Sequence, residues 1–275
     1  MKRNFILFTI FLMLTACSSN KPNSLSEQGL KGNVKTVALC SFETKKTSNG
    51  IEKDDIISHW DVKHNLNIDQ ISISTYDNNG NIISKEYYDE YRELSNRHIY
   101  TYLNENLISL YKYDNRDRVT YSWELILEKE KPINVKINKD TYHDCIFEGF
   151  NLISYKVDRP RYRIIEQTYE NNFLCKSVTK TSDGDTTRCI TKKWNEAGQL
   201  LYEEDAVEHD ASEIFNYEYN EVGHIIKYTR EYGRNTPTIY TFEYLTFDDK
   251  GNWTERVIYS NDTPHIIQER IIEYY

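Results

Sequence analysis

Three short stretches hold the residues best suited to chemistry. "HWDVKH" sets His59, Asp61 and His64 close together, and imidazole with carboxylate is a donor set for zinc. On a strand, however, His59 and Asp61 share a face while His64 points to the other, so the three do not converge on one ion. "YHDC" supplies His143, Asp144 and Cys145, the residue types of an activated thiol. Consecutive strand residues alternate faces, so these cannot serve each other as nucleophile and base. "DNNGN" at 77–81 opens like a calcium loop, but the twelfth position, which needs a bidentate acid, is Tyr88. No phosphate-binding glycine loop, GxSxG or HExxH is present. The expectation is no metal, no cofactor and no catalytic residue.

Glycoside hydrolysis would need two carboxyl groups roughly 5 to 10 Å apart in a cleft. The 43 acids are dispersed and no pair stands out. A glycan hydrolase working through such a pair is therefore the alternative, and binding the first expectation. Aromatic rows suggest where binding would occur. Tyr240, Phe242 and Tyr244 alternate onto one strand face, with Ile239, Leu245 and Phe247 on the other. Trp253 and Tyr259 share a face in the strand that follows. Such rows, if exposed, stack on sugars or on partner loops. The expected ligand is an envelope protein or a glycan. With a formal net charge of −9, the chain lacks the basic footprint that phosphate backbones require, which argues against nucleic acid.

The elements that would carry these rows are written in a repeat. Tyr76 begins "YDNNGNIISKEYY", Trp194 "WNEAGQLLYEED", Tyr219 "YNEVGHIIKYTREY" and Phe247 "FDDKGNWTERVIY". Tyr113 begins a fifth copy, "YDNRDRVTYSW", with Asp117 in the glycine position, and weaker echoes start at Tyr102 and Tyr169. Each copy reads as a hairpin. Asp or Asn bonds the backbone ahead of it, and a type I turn follows. Gly80, Gly198, Gly223 or Gly251 then takes the left-handed conformation. This geometry pairs the aromatic with the residue six positions on: Tyr76 with Ile82, Tyr113 with Val119, Trp194 with Leu200, Tyr219 with Ile225 and Phe247 with Trp253. Every pair joins an aromatic to an apolar residue, which favours cross-strand packing. The fold class is thus all-β, an antiparallel meander of repeated hairpins forming an extended, twisted or curled sheet over residues 30–275. The abundance of Tyr, 23 residues against 10 Gly and 5 Pro, suits half-buried pleated surfaces.

The pattern resembles the YD repeat of Rhs-type bacterial proteins, and especially lipoproteins that carry short arrays of such hairpins. "YTFEYLTFDDKGNWTERVIY" carries the resemblance best. It implies a long antiparallel sheet that rolls or twists. Large Rhs proteins wrap a shell around a C-terminal toxin, whereas this chain ends in a strand-like "IIQERIIEYY".

The N-terminus "MKRNFILFTIFLMLTACSSN" has a basic start and an apolar stretch shorter than the roughly 20 residues of a spanning helix. It closes on Leu14-Thr15-Ala16-Cys17, which resembles the lipobox of bacterial lipoproteins. The resemblance implies a signal peptide over 1–16, lipidation of Cys17 and a membrane anchor of several acyl chains. Residues 17–29 would then be a polar tether. Ser18 after the Cys points to the outer membrane, and loss of Lys2 and Arg3 would take the net charge from −9 to −11. Cys40, Cys145, Cys175 and Cys189 would meet an oxidising envelope, and sequence leaves their pairing open.

Overall fold

A computed structural model describes residues 24–48, 50–57, 70–138, 140–157 and 163–275. Cys17 and the cluster of His59, Asp61 and His64 lie outside the described residues, as does the side chain of His143. A four-residue helix, α1 (Ser24–Glu27), precedes β1 (Val34–Thr47), β2 (Gly50–Ile56), β3 (Ile71–Tyr76), β4 (Ile82–Tyr88), β5 (Leu94–Leu103) and β6 (Asn106–Asp114). The meander continues through β7 (Val119–Glu128), β8 (Lys131–Ile137), β9 (Asp140–Glu148), β10 (Asn151–Val157), β11 (Arg163–Glu170) and β12 (Phe173–Thr181). It ends with β13 (Thr186–Trp194), β14 (Leu200–Val207), β15 (Glu213–Tyr219), β16 (Ile225–Tyr232), β17 (Thr238–Phe247), β18 (Trp253–Ser260) and β19 (Thr263–Tyr274).

All five pairs expected from the repeat are cross-strand partners in the sheet: Tyr76 with Ile82, Tyr113 with Val119, Trp194 with Leu200, Tyr219 with Ile225 and Phe247 with Trp253. The turn chemistry is as the residue types demand. Asp248 Oδ1 accepts from the backbone N–H of Lys250 at 3.0 Å and of Asn252 at 2.8 Å. Asp77 Oδ1 does the same for Asn79 and Asn81. Gly251 sits at φ +79° and Asp117, its counterpart in the fifth copy, at +56°. A sixth copy escaped the sequence reading. Asp89 caps the turn after Tyr88, Arg92 takes φ +63°, and Tyr88 pairs with Leu94. The two echoes fold differently, through two-residue turns whose central residues, Asn104–Glu105 and Asn171–Asn172, all have positive φ. That is the primed turn that suits strand twist.

Each strand from β3 to β19 pairs antiparallel with the next. β1 then closes the circuit, because one of its edges pairs with β19 and the other with β3 and β2. The sheet does more than curl: its pairing returns to its start. Closure pairs the two terminal edges that an open sheet would leave for aggregation, while β2, among the described residues, pairs with β1 alone. The buried apolar residues form three separate clusters, each made by neighbouring strands of the wall or the segment against them. Most strand positions on both faces keep partial exposure.

In a meander, alternate turns lie at opposite ends. The turns holding Gly80, Gly198, Gly223 and Gly251 share one end, and that holding Asp117 lies at the other. The N-terminal segment crosses the glycine end. Leu25 donates its N–H to Gly80 O, Gln28 Oε1 accepts from Tyr76, and Lys31 N–H donates to Asn252 Oδ1 at 2.7 Å. Leu25 and Leu30 are buried against Val34, Val37 and Tyr76. The folded part therefore begins by Ser24, inside the stretch expected to be tether. Leu25, the one apolar side chain between residues 18 and 29, docks it.

Candidate functional site

The aromatic row of β17 is placed on the face that the closed sheet turns inward. Tyr240 and Trp253 are only 2% and 3% exposed, so the expected open aromatic surface is corrected to an interior one. Phe242 and Tyr244 share that face and are half-buried. Alternation alone identified two faces without saying which would be enclosed. It also failed at two bulges, at Leu245 in β17 and Thr254 in β18, which change the parity of the strands. Phe247 consequently swings to the side of Tyr244, at 6.1 Å between ring centres. Trp253 and Tyr259 end on opposite faces: Trp253 lies 6.0 Å from Tyr244, while Tyr259 bonds outward-facing Glu243.

The inner wall is an aromatic ladder. Phe215 stacks on Tyr228 at 5.9 Å, Tyr217 lies 5.1 Å from Tyr228, and Tyr228 lies 5.6 Å from Tyr240. Burial pushes the Tyr228 hydroxyl up to about 12, so it stays protonated and neutral. Tyr244 donates to Ile225 O at 2.7 Å, which fixes its ring toward the glycine end.

At that end the ladder meets cations that sequence reading passed over. Arg256 on β18 and Arg270 on β19 face inward, and Trp253 lies against both, its ring centre 4.2 and 3.5 Å from their guanidinium carbons. Burial and the charge of Arg256 pull Arg270 down to about 9, which leaves it charged at neutral pH. His224 stands beside them, 5.0 Å from Tyr244 and 5.6 Å from Phe247, with both ring nitrogens buried and unpartnered. Burial, then Lys31, Arg270 and Arg256, lower its basicity. A signal for the arginines existed. In "TERVIY" and "QERIIEY" strand alternation puts each Arg on the face of an apolar inward residue, the buried Ile258 or the partly buried Ile272 that pairs with Val37.

Among the described residues no comparable grouping of catalytic side chains is found. Cys145 is half-buried, its thiol donates to Tyr142 O, and burial pushes it up, opposite to an activated nucleophile. Asp144 is paired with Lys156. No disulfide joins the described cysteines, and Cys189 lies opposite Val178 rather than Cys175. On the outer face, a groove of about 490 Å³ is lined by Lys53, Glu243, Leu245, Glu255 and Tyr259 among others. Glu255 and Glu269 are cross-strand partners on that face, two carboxylates on facing strands. Lys53 bridges both, so the two carboxylates are held in ion pairs with one ammonium. Among the described residues no three of His, Cys, Asp and Glu are grouped to hold a metal. No described helix is long and apolar enough to cross a membrane.

No protein-family model matches the chain, and no curated protein matches it in sequence. Solved structures match in shape. A porin-like protein from Bacteroides uniformis ATCC 8492 is 10% identical, with a TM-score of 0.40, over 87% of this chain and 98% of that one. TcdB2-TccC3-TEV is 16% identical with a TM-score of 0.31, over 83% of this chain and 11% of that chain. TcdB2-TccC3 without its hypervariable C-terminal region is 14% identical with a TM-score of 0.33, over 82% of this chain and 11% of that one. This chain thus spans about a tenth of the length of those two proteins.

Proposed function

We propose that this chain is a non-catalytic binding module of the cell envelope, lipid-anchored at Cys17 to the outer membrane, that holds a glycan against its inner aromatic wall. The observation supporting it is the inward aromatic row of Phe215, Tyr217, Tyr228 and Tyr240, continued along β17 by the half-buried Phe242 and Tyr244, on a sheet that closes on itself. Aromatic rings present flat apolar faces with a polar rim, the complement of a pyranose ring. An enclosed wall suits a slender chain better than the flat surface of a folded partner. The reading is tested on the detergent-solubilised full chain with a glycan array, and in parallel by pull-down from envelope extract. Binding to a glycan should fall at least tenfold on changing Phe242 and Tyr244 to Ala, with circular dichroism unchanged. Capture of a folded protein partner unaffected by those changes would refute the glycan reading. Glycan cleavage abolished by Glu255→Gln would instead establish the hydrolase alternative.

A further inference from the structure

Cations on the inner wall are ordinarily balanced. Arg230 pairs with Glu213, Lys192 with Glu203 and Arg188 with Asp205. Arg256 and Arg270 break that pattern, since neither forms an ion pair among the described residues. The acids beside them in sequence, Glu255 and Glu269, point to the other face and share Lys53. Arg256 is given neutral partners: Gln268 Oε1 accepts from its Nε at 2.9 Å and Nη2 at 2.6 Å. Gln268 is held in turn by a bond from its Nε2 to Ser41 Oγ at 2.9 Å. The Arg270 guanidinium donates no side-chain hydrogen bond among the described residues, and its Nε is buried without a partner. Because both guanidinium carbons lie so near one Trp253 ring, they are no farther apart than the sum of those two distances.

Enclosing one cation costs several times what a surface ion pair returns, and a like charge alongside adds to the cost. Contact with one indole recovers only part of it. An anion between the two forks would offset both penalties at once, and a planar fork with spare N–H donors is the group that reads carboxylate or phosphate. Lys31 adds to a positive field at this end of an otherwise acidic chain, strong enough to help lower the basicity of His224.

We propose that Arg256 and Arg270, with Trp253 against them, form a binding site for an oxyanion: the carboxylate of an acidic sugar, or a phosphate group. The sugar as its carrier rests on the glycan reading above; the anion itself does not.

The test uses the detergent-solubilised full chain, isothermal titration calorimetry and thermal unfolding, with three probes: inorganic phosphate, trigalacturonate and its neutral counterpart galactotriose. Trigalacturonate should bind at least tenfold more tightly than galactotriose, with affinity falling as salt rises. Arg270→Gln should weaken that binding at least tenfold and raise the melting temperature of the unliganded chain by a few degrees, because it removes an unbalanced, partly buried charge. Should that variant misfold, Arg270→Lys keeps the charge, loses the fork, and should still bind tenfold less tightly. Phosphate binding lost in Arg270→Gln, with neither saccharide bound, supports the anion site and refutes the glycan reading. Galactotriose binding as tightly as trigalacturonate, with Arg270→Gln having no effect, keeps the glycan reading and overturns the anion site. A lower melting temperature in Arg270→Gln, with no probe bound by the parent chain, also overturns it: the arginines would then be structural.

Discussion

Asp248 shows how much one side chain decides. Its carboxylate accepts from two turn N–H groups and from the Tyr274 hydroxyl, and these bonds outweigh burial to hold it below the usual carboxylate range. Three residues on, Gly251 needs φ +79°, where a β-branched side chain is strained although the nearest group, Lys31 Nζ, leaves 3.6 Å. Gly251→Val should therefore cost about 1 kcal/mol or more in urea unfolding, through backbone strain rather than a clash. His224 gives a pH prediction. Burial and three cations disfavour its charged form in the fold, so the unfolded chain takes up the proton more readily. Stability is then complete above the unfolded value of about 6.5 and falls as pH drops through it. Asp248 adds its own loss only below about pH 4, in the range of an unfolded Asp. His224→Phe, which keeps the ring between Tyr244 and Phe247, should shrink the stability difference between pH 8 and pH 5. An undiminished difference in urea unfolding at those two pH values would show that His224 is not its source.

At the scale of elements, the hairpins were legible and their arrangement was not. An Asp or Asn, two residues and a Gly fix a turn by bonds within five residues, so the register could be read from spacing. The β1–β19 pairing joins residues such as Val37 and Ile272, more than two hundred positions apart, and no local signal encodes it. The bulges at Leu245 and Thr254 carry no Gly to announce them, and they undid the expected faces of Phe247 and Trp253. The N-terminal segment was invisible for a similar reason, because one Leu in a polar run has no periodicity. Its docking depends on Asn252, 1% exposed, which accepts from Lys31 N–H and donates to Lys31 O and the Tyr274 hydroxyl. Asn252→Ala leaves those groups without partners and should cost about 2 to 3 kcal/mol. Hydrogen exchange should quicken first across residues 24–33, before the strands; uniform quickening would mean the segment is not a separable unit.

The whole molecule couples that end to the proposed anchor. If acyl chains hold Cys17, six residues remain before Ser24 enters the fold, and a chain spans at most about 3.5 Å per residue. The glycine end, with Arg256 and Arg270 behind it, would then lie within about 25 Å of the bilayer, and the opposite end would face away. Two exposed trypsin sites report on this: Lys250 in the turn of 248–252 at the near end, and Arg234 between β16 and β17 at the far one. In vesicles the lipidated chain should be cut at Arg234 well before Lys250. Cys17→Ala should release the protein from the membrane fraction and bring the two cleavage rates together. A Cys17→Ala chain retained in the membrane would overturn the anchor. Equal cleavage rates in the lipidated chain would leave the anchor standing and overturn the orientation, since the ends of a ring held by so short a tether cannot be equally accessible.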